Sequence, residues 1–166
     1  MSDYLFFEKK IVKSSDNLVL KNKIRVLLKE IEPDLIKSYE KSEFPMHIIP
    51  KLSRLNIIGG LLKKYGCPGL STNEFIIVLL EISKVDLSLA TFMGVQVSLV
   101  METIYNLGSE NQKNHYLPKL ANLEYIGGFG LTEPKHGSDS LFMETTCEKT
   151  DNGFSIGYVL NGEKRW

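Results

Sequence analysis

The chain has 166 residues, with 20 lysines and arginines against 20 aspartates and glutamates, so its formal net charge is zero. That length is about one domain, with room for one and part of another, and the balanced charge excludes a nucleic-acid binder that works by neutralising phosphates. A composition 43% hydrophobic and 24% charged excludes a disordered tail. The longest uncharged apolar stretch, Leu87 to Met101, has 15 residues and contains Gln96. A membrane span needs about 20, so this stretch reads as a buried helix of a soluble protein. The opening MSDYLFFEKK has no basic run leading into an apolar core, so it does not read as a secretory signal. Being acidic early and free of arginine, it does not resemble a mitochondrial presequence either. Cys67 and Cys147 form no CxxC pair and read as two buried or half-buried thiols of a reducing, intracellular compartment. His47, His115 and His136 have no helical i, i+4 partners, so no metal site is expected.

The pattern is helical as far as residue 123 or so. Asp16 is placed to cap a first helix whose Ile24, Leu27, Leu28 and Ile31 recur at three- and four-residue spacing. Pro33 suits the first turn of a second helix, where its missing N–H is no loss. Phe44-Pro45 ends that helix, and a short one with Ile48, Ile49, Leu52 and Leu55 follows. Gly59-Gly60 and Gly66-Cys67-Pro68-Gly69 punctuate. Ser71 and Glu74 fit a capping box, ahead of a helix with Phe75, Val78, Leu79, Ile82 and Val85. Asp86 caps a long helix to about Leu107. Because that helix is apolar nearly all round, it is expected at the buried centre of a bundle. Gly108 closes it as a C′ residue, Ser109 and Gln112 form a second capping box, and Pro118 limits the last helix.

From residue 124 the period shortens. Tyr125 to Leu131 reads as a strand stopped by Pro134. Leu141 to Thr150 and Phe154 to Leu160 read as a hairpin about Asn152-Gly153, and Asn161-Gly162 turns toward a third strand. The fold class is therefore mainly α: an all-α helical bundle followed by the start of a β-barrel-like domain. The expected division is an N-terminal extension at 1–15, a helical domain at 16–123 and an incomplete β-domain at 124–166.

The chemistry concentrates in Gly128 to Asp139, GFGLTEPKHGSD. A strand that ends at a proline leaves backbone groups of Leu131 and Thr132, and the threonine hydroxyl, open to a planar ligand with amide-like edges. Gly137-Ser138 makes a turn able to hold an anionic group. The plainer reading is a strand followed by a structural turn. Glu133 and Asp139 read as carboxylates that tie the turn down, because no nucleophile or metal set lies near.

Leu131-Thr132-Glu133-Pro134, then Gly137-Ser138-Asp139, then Asn161-Gly162-Glu163-Lys164-Arg165-Trp166 resemble the acyl-CoA dehydrogenase and oxidase flavoprotein family. Gly108-Ser109-Glu110 with Gln112, Tyr116-Leu117-Pro118 and Tyr65-Gly66-Cys67-Pro68-Gly69 add to the resemblance, which covers the chain from about residue 16. FPMHIIPKL, YGCPGLS and NGEKRW look most like short-chain acyl-CoA oxidases of plant peroxisomes, whereas VQVSLVM and GFGLTEP are similar to glutaryl-CoA dehydrogenases. Members of the latter group hold a distal carboxylate with an arginine and a serine, and Ala90 and Gly94 stand at the matching positions. His136 and Phe142 depart from the small residues usual at theirs.

The resemblance implies FAD as cofactor and an acyl-CoA as substrate. Phe129, Leu131 and Thr132 would meet the flavin's pyrimidine edge. Ser138 would lie by FAD and the thioester arm, and Trp166 would flank the isoalloxazine ring, its plainer reading being a core aromatic. The long helix would line the acyl pocket. The implied reaction is α,β-dehydrogenation, in which a carboxylate takes the α-proton. The family carries that base on a C-terminal helical domain, so no catalytic residue is expected in this chain. The full-length protein would be a homo-oligomer in a peroxisome or mitochondrion. The competing expectation is a catalytically dead truncated product that serves at most as an interaction module.

Overall fold

A computed structural model of the chain describes residues 14–151 and 156–166. The chain divides into two units, Met1–Gly128 and Phe129–Trp166.

In the first unit, helix α1 spans Ser15–Glu40. Its cap is Ser14, whose side chain accepts the Asn17 amide, and Asp16 sits in the first turn instead. Pro33 does not begin a new helix but lies inside this one. An interior proline costs about 3 kcal/mol. The buried stripe Ile24, Leu27, Leu28, Ile31 and Leu35 runs straight past it, and each such side chain contributes about 1.5–3 kcal/mol on burial. Burial wins over the local preference. After the Phe44-Pro45 break, a tight turn at Met46–Ile48, helix α2 at Ile49–Leu52 and another tight turn at Ser53–Leu55 bury Ile48, Ile49 and Leu52.

Helix α3, Thr72–Ser83, carries the expected Ser71/Glu74 capping box and buries Phe75, Ile77, Val78, Glu81 and Ile82. Asp86 caps the next helix through the Leu89 amide. That helix runs unbroken as α4 (Leu87–Gly94), a widened π-helical stretch (Val95–Met101) and α5 (Glu102–Leu107). Its 21 residues are long and apolar enough to cross a membrane by length and composition alone. Here one side, with Leu89, Met93, Gln96, Val97 and Met101, joins the core, while Leu87, Leu99 and Leu107 are exposed. The helix is therefore not buried all round, because its packing partners, α3 and the last helix, cover one side.

Gly108 is extended rather than left-handed; a β-carbon there would lie 2.6 Å from the Ile104 carbonyl oxygen. Helix α6, Glu110–Ala121, opens on the Ser109/Gln112 capping box and continues through Pro118, with Leu117, Leu120 and Ala121 buried. The core gathers α1, α2, α3, the long helix and α6 around Ile31, Ile49, Ile58, Ile82 and Met93.

Tyr125 to Gly128 is irregular, not a strand, because its polar groups go elsewhere: the Tyr125 amide to Lys119 and the Gly127 amide to the Gln96 side chain.

The second unit holds one antiparallel ribbon, β1 (Thr146–Asp151) and β2 (Ile156–Asn161), in register from Thr146 opposite Asn161 to Asp151 opposite Ile156. The predicted Asn152-Gly153 turn and the predicted strand start at Phe154 lie outside the described residues. Residues 129–131 form no strand, and β1 begins at Thr146 rather than Leu141. Ser140–Phe142 forms a tight turn, and the Glu144 and Thr145 amides donate to the Glu133 carboxylate, which removes them from any ladder. The third strand is likewise not formed among the described residues; the Arg165 amide makes a single bond to the Thr132 carbonyl. Leu141, Phe142, Tyr158, Leu160 and Trp166 are exposed within these 166 residues. Among the described residues of this unit, only Glu133 is buried.

Candidate functional site

The GFGLTEPKHGSD segment owes its shape to Glu133. Its side chain is about 3% exposed, and its two oxygens accept the Glu144 amide, the Thr145 amide at 3.0 Å and Lys164 Nζ at 2.9 Å. Glu133 and His136 also exchange backbone bonds at 3.0 and 3.2 Å, which closes the turn containing Pro134. Proximity of the Thr145 side chain, together with Lys164 and the two amides, outweighs burial and lowers the Glu133 carboxyl to about 2. A carboxylate so engaged is a structural anchor. Asp139 is exposed and does not join it.

Lys164 does a second thing. Its ammonium donates to the Leu131 carbonyl at 3.0 Å, and the Arg165 amide donates to the Thr132 carbonyl at 2.8 Å. Both carbonyls are thereby used. The Leu131 and Thr132 amides and the Thr132 hydroxyl have no protein partner among the described residues. Phe129 and Leu131 are exposed, Thr132 is half-buried, and Trp166 is wholly exposed at a left-handed backbone angle.

The structure thus brings Leu131 and Thr132 beside the segment that ends in Trp166. Ser138 lies in an exposed bend and makes no hydrogen bond with that pair among the described residues. Lys135 donates to Glu144, and His136 Nε2 lies 3.7 Å from the same carboxylate. No group of three or more histidines, cysteines, aspartates or glutamates among the described residues is placed to hold a metal ion.

Sequence reasoning singled out Trp166 in NGEKRW and passed over Lys164. Lys164 stands in the same motif, but its bond to Glu133 spans 31 residues, beyond the reach of any local spacing signal. Sequence reasoning also passed over the connections of Gln96. That side chain is 1% exposed, donates to the Leu120 and Tyr125 carbonyls at 3.1 Å each, and accepts the Gly127 amide at 2.9 Å.

A chemical test of the donor set favours a flavin. The pyrimidine edge of a flavin presents carbonyl and ring-nitrogen acceptors beside an N3–H donor; the Leu131 and Thr132 amides can answer the acceptors, and the Thr132 hydroxyl, which can also accept, can answer the donor. An exposed indole answers the apolar ring.

Residues 15–124 match the acyl-CoA dehydrogenase N-terminal domain. An acyl-CoA dehydrogenase of Bacillus subtilis is 33% identical over 137 residues, 82% of this chain and 35% of that protein. The mitochondrial isovaleryl-CoA dehydrogenase of Bos taurus is 38% identical over 117 residues, 70% of this chain and 26% of that protein. A glutaryl-CoA dehydrogenase of Mycobacterium smegmatis, solved in complex with FADH2, superposes with a TM-score of 0.86 at 32% identity, over 98% of this chain and 41% of that one. The chain spans about a third or less of the two curated relatives. With a family match over most of its length and a shared fold beyond it, the chain belongs to the acyl-CoA dehydrogenase family.

Proposed function

We propose that this chain is the N-terminal part of an FAD-dependent acyl-CoA dehydrogenase or oxidase that introduces a double bond between the α and β carbons of a short-chain acyl-CoA thioester. The observation that carries the reading is the Leu131–Thr132 backbone, with its carbonyls tied back to Lys164 and Arg165 and its amides left open. Those amides and the Thr132 hydroxyl hold the cofactor's polar edge, with Phe129 and Trp166 against its apolar surface. Ser138, in its exposed turn, serves the cofactor and the thioester arm. Bound FAD supplies the hydride acceptor.

Glu133 does not act as the base: it is buried, ionised and engaged at both oxygens. The base is a glutamate outside these 166 residues, so the chain alone holds flavin without turning substrate over. The full-length enzyme is a homo-oligomer in this reading.

The acyl group is monocarboxylic. Ala90 and Gly94 occupy the positions at which glutaryl-CoA enzymes carry their carboxylate-binding pair. Here they line a groove of about 350 Å³ with Ile76, Leu79, Leu80 and Thr91, and no charged side chain lines it. A carboxylate desolvated there would lack a cation.

The test is the visible absorbance of the purified chain after FAD is added and excess is removed. The reading predicts a retained flavin band that does not bleach with butyryl-CoA, the base being absent. A chain that retains no flavin at saturating FAD would contradict it, and bleaching by the chain alone would overturn the assignment of the base.

A further inference from the structure

We infer that Glu133 and Lys164 act together as positioning residues for the flavin, setting the register between the Leu131–Thr132 backbone and Trp166. The inference rests on the reading that this segment holds FAD. It begins from an absence of other devices. Neighbouring segments of a β-domain take their register from a ladder of backbone bonds, and a slip of one residue carries every side chain to the wrong side. Between residues 131–133 and 164–166 the structure has one backbone bond, from the Arg165 amide to the Thr132 carbonyl. One bond permits pivoting about itself.

The Lys164 side chain supplies the second and third fixed points. Its ammonium reaches the Leu131 carbonyl at 3.0 Å and Glu133 Oε1 at 2.9 Å, and so grips the partner segment on both sides of Thr132. Glu133 in turn is immobilised by the Glu144 and Thr145 amides. The grip is therefore referenced to the turn leading into β1, not to a swinging side chain.

Hydrophobic packing does not do this work, since Glu133 is the only buried residue among those described in the unit and the surrounding large apolar side chains are exposed. An apolar pair in place of the ion pair would carry no directional preference, whereas charge-assisted bonds do. Trp166 follows Lys164 by two residues, so what fixes Lys164 fixes the reach of the indole. The consequence is a division of labour: Thr132 and Trp166 touch the cofactor, and Glu133 and Lys164 hold those two at one spacing.

The experiment is a titration of the full 166-residue chain with FAD, following Trp166, its single tryptophan. Wild type, Lys164→Met, Lys164→Arg and Glu133→Gln are compared. Wild type is expected to show strong quenching of the indole. Lys164→Met is expected to bind FAD about tenfold more weakly, the effect of losing a charge-assisted bond, and to leave quenching incomplete even at saturation. Glu133→Gln behaves likewise, and Lys164→Arg, which keeps the cation, recovers most of the quenching. A merely structural role would lower the affinity without changing the saturated signal.

Hydrogen exchange at the Arg165 amide, measured without FAD, reads the clamp directly: protected in wild type and open in Lys164→Met. Full quenching in Lys164→Met at wild-type FAD affinity overturns the proposal and leaves the flavin reading standing. No quenching in wild type, with the Arg165 amide still protected, overturns the flavin reading and leaves the pair a structural clamp only. Helical circular dichroism, which reports the first unit, verifies that each variant is folded there.

Discussion

Gln96 Oε1 accepts the amide of Gly127 at 2.9 Å, and the same side chain's amide group donates to the Leu120 and Tyr125 carbonyls. One side chain in the π-helical stretch thus satisfies the end of α6 and the irregular segment after it. Replacing it with leucine leaves the Gly127 amide and the Tyr125 carbonyl without partners at a site 1% exposed, whereas the Leu120 carbonyl keeps the Leu123 amide. Each unsatisfied buried group costs about 1–3 kcal/mol. Gln96→Leu is expected to lower the stability of the first unit by about 3 kcal/mol, read as a shift in the urea midpoint by circular dichroism. A shift below about 0.5 kcal/mol would show that these bonds contribute little.

Gly127 is where that segment passes closest to the long helix: a β-carbon there would collide with Cγ1 of Val100. Gly127→Ala is expected to cost about 1–3 kcal/mol through overpacking. Val100→Ala should relieve part of that cost, so the double variant will be more stable than the sum of the singles predicts. Strict additivity in the same denaturation measurement would count against the close approach.

Acid should act on the two units through two carboxylates. Burial pushes the Glu81 carboxyl up, but hydrogen bonds from Arg25 and Lys84 outweigh it and hold it below the ordinary carboxylate value; Glu133 is lowered further, to about 2. A carboxyl lowered on folding adds stability that is complete above its ordinary value near 4.5 and is lost as the pH falls through the lowered value. Trp166 emission should therefore hold steady at pH 5 and change as the pH approaches 2, and Glu133→Gln should abolish that transition. A Trp166 transition centred at the ordinary carboxylate value would show that Glu133 is not held ionised.

The two thiols should separate cleanly. Burial pushes Cys67 up to about 11, and it packs against Gly59, whereas Cys147 is exposed on β1. Iodoacetamide at pH 8 is expected to modify Cys147 first and the half-buried Cys67 much more slowly until the chain is denatured, as mass spectrometry of the digested chain will show. Equal early labelling of both would contradict the packing of Cys67.

Local signals were legible in the sequence. The Ser71/Glu74 and Ser109/Gln112 capping boxes and the Asp86 cap lie within four residues of what they bond, and all three form. Pro33 and Pro118 misled for the opposite reason: a local preference was set against apolar stripes that continue past each proline. The strand predicted from Leu141 failed because a carboxylate eleven residues upstream captures the Glu144 amide. Likewise, Thr132 and Trp166 could be named from a motif, but Lys164 reaches Glu133 across 31 residues, a distance no periodicity encodes.

The central claim is that the Leu131 and Thr132 amides hold a flavin. Its most direct test is nitrogen–proton correlation NMR of the labelled chain during addition of FAD. The account predicts that the Leu131 and Thr132 amide signals move together and early, with Thr132→Ala weakening the titration. Binding that leaves both amides unmoved, or no change at saturating FAD, would contradict it.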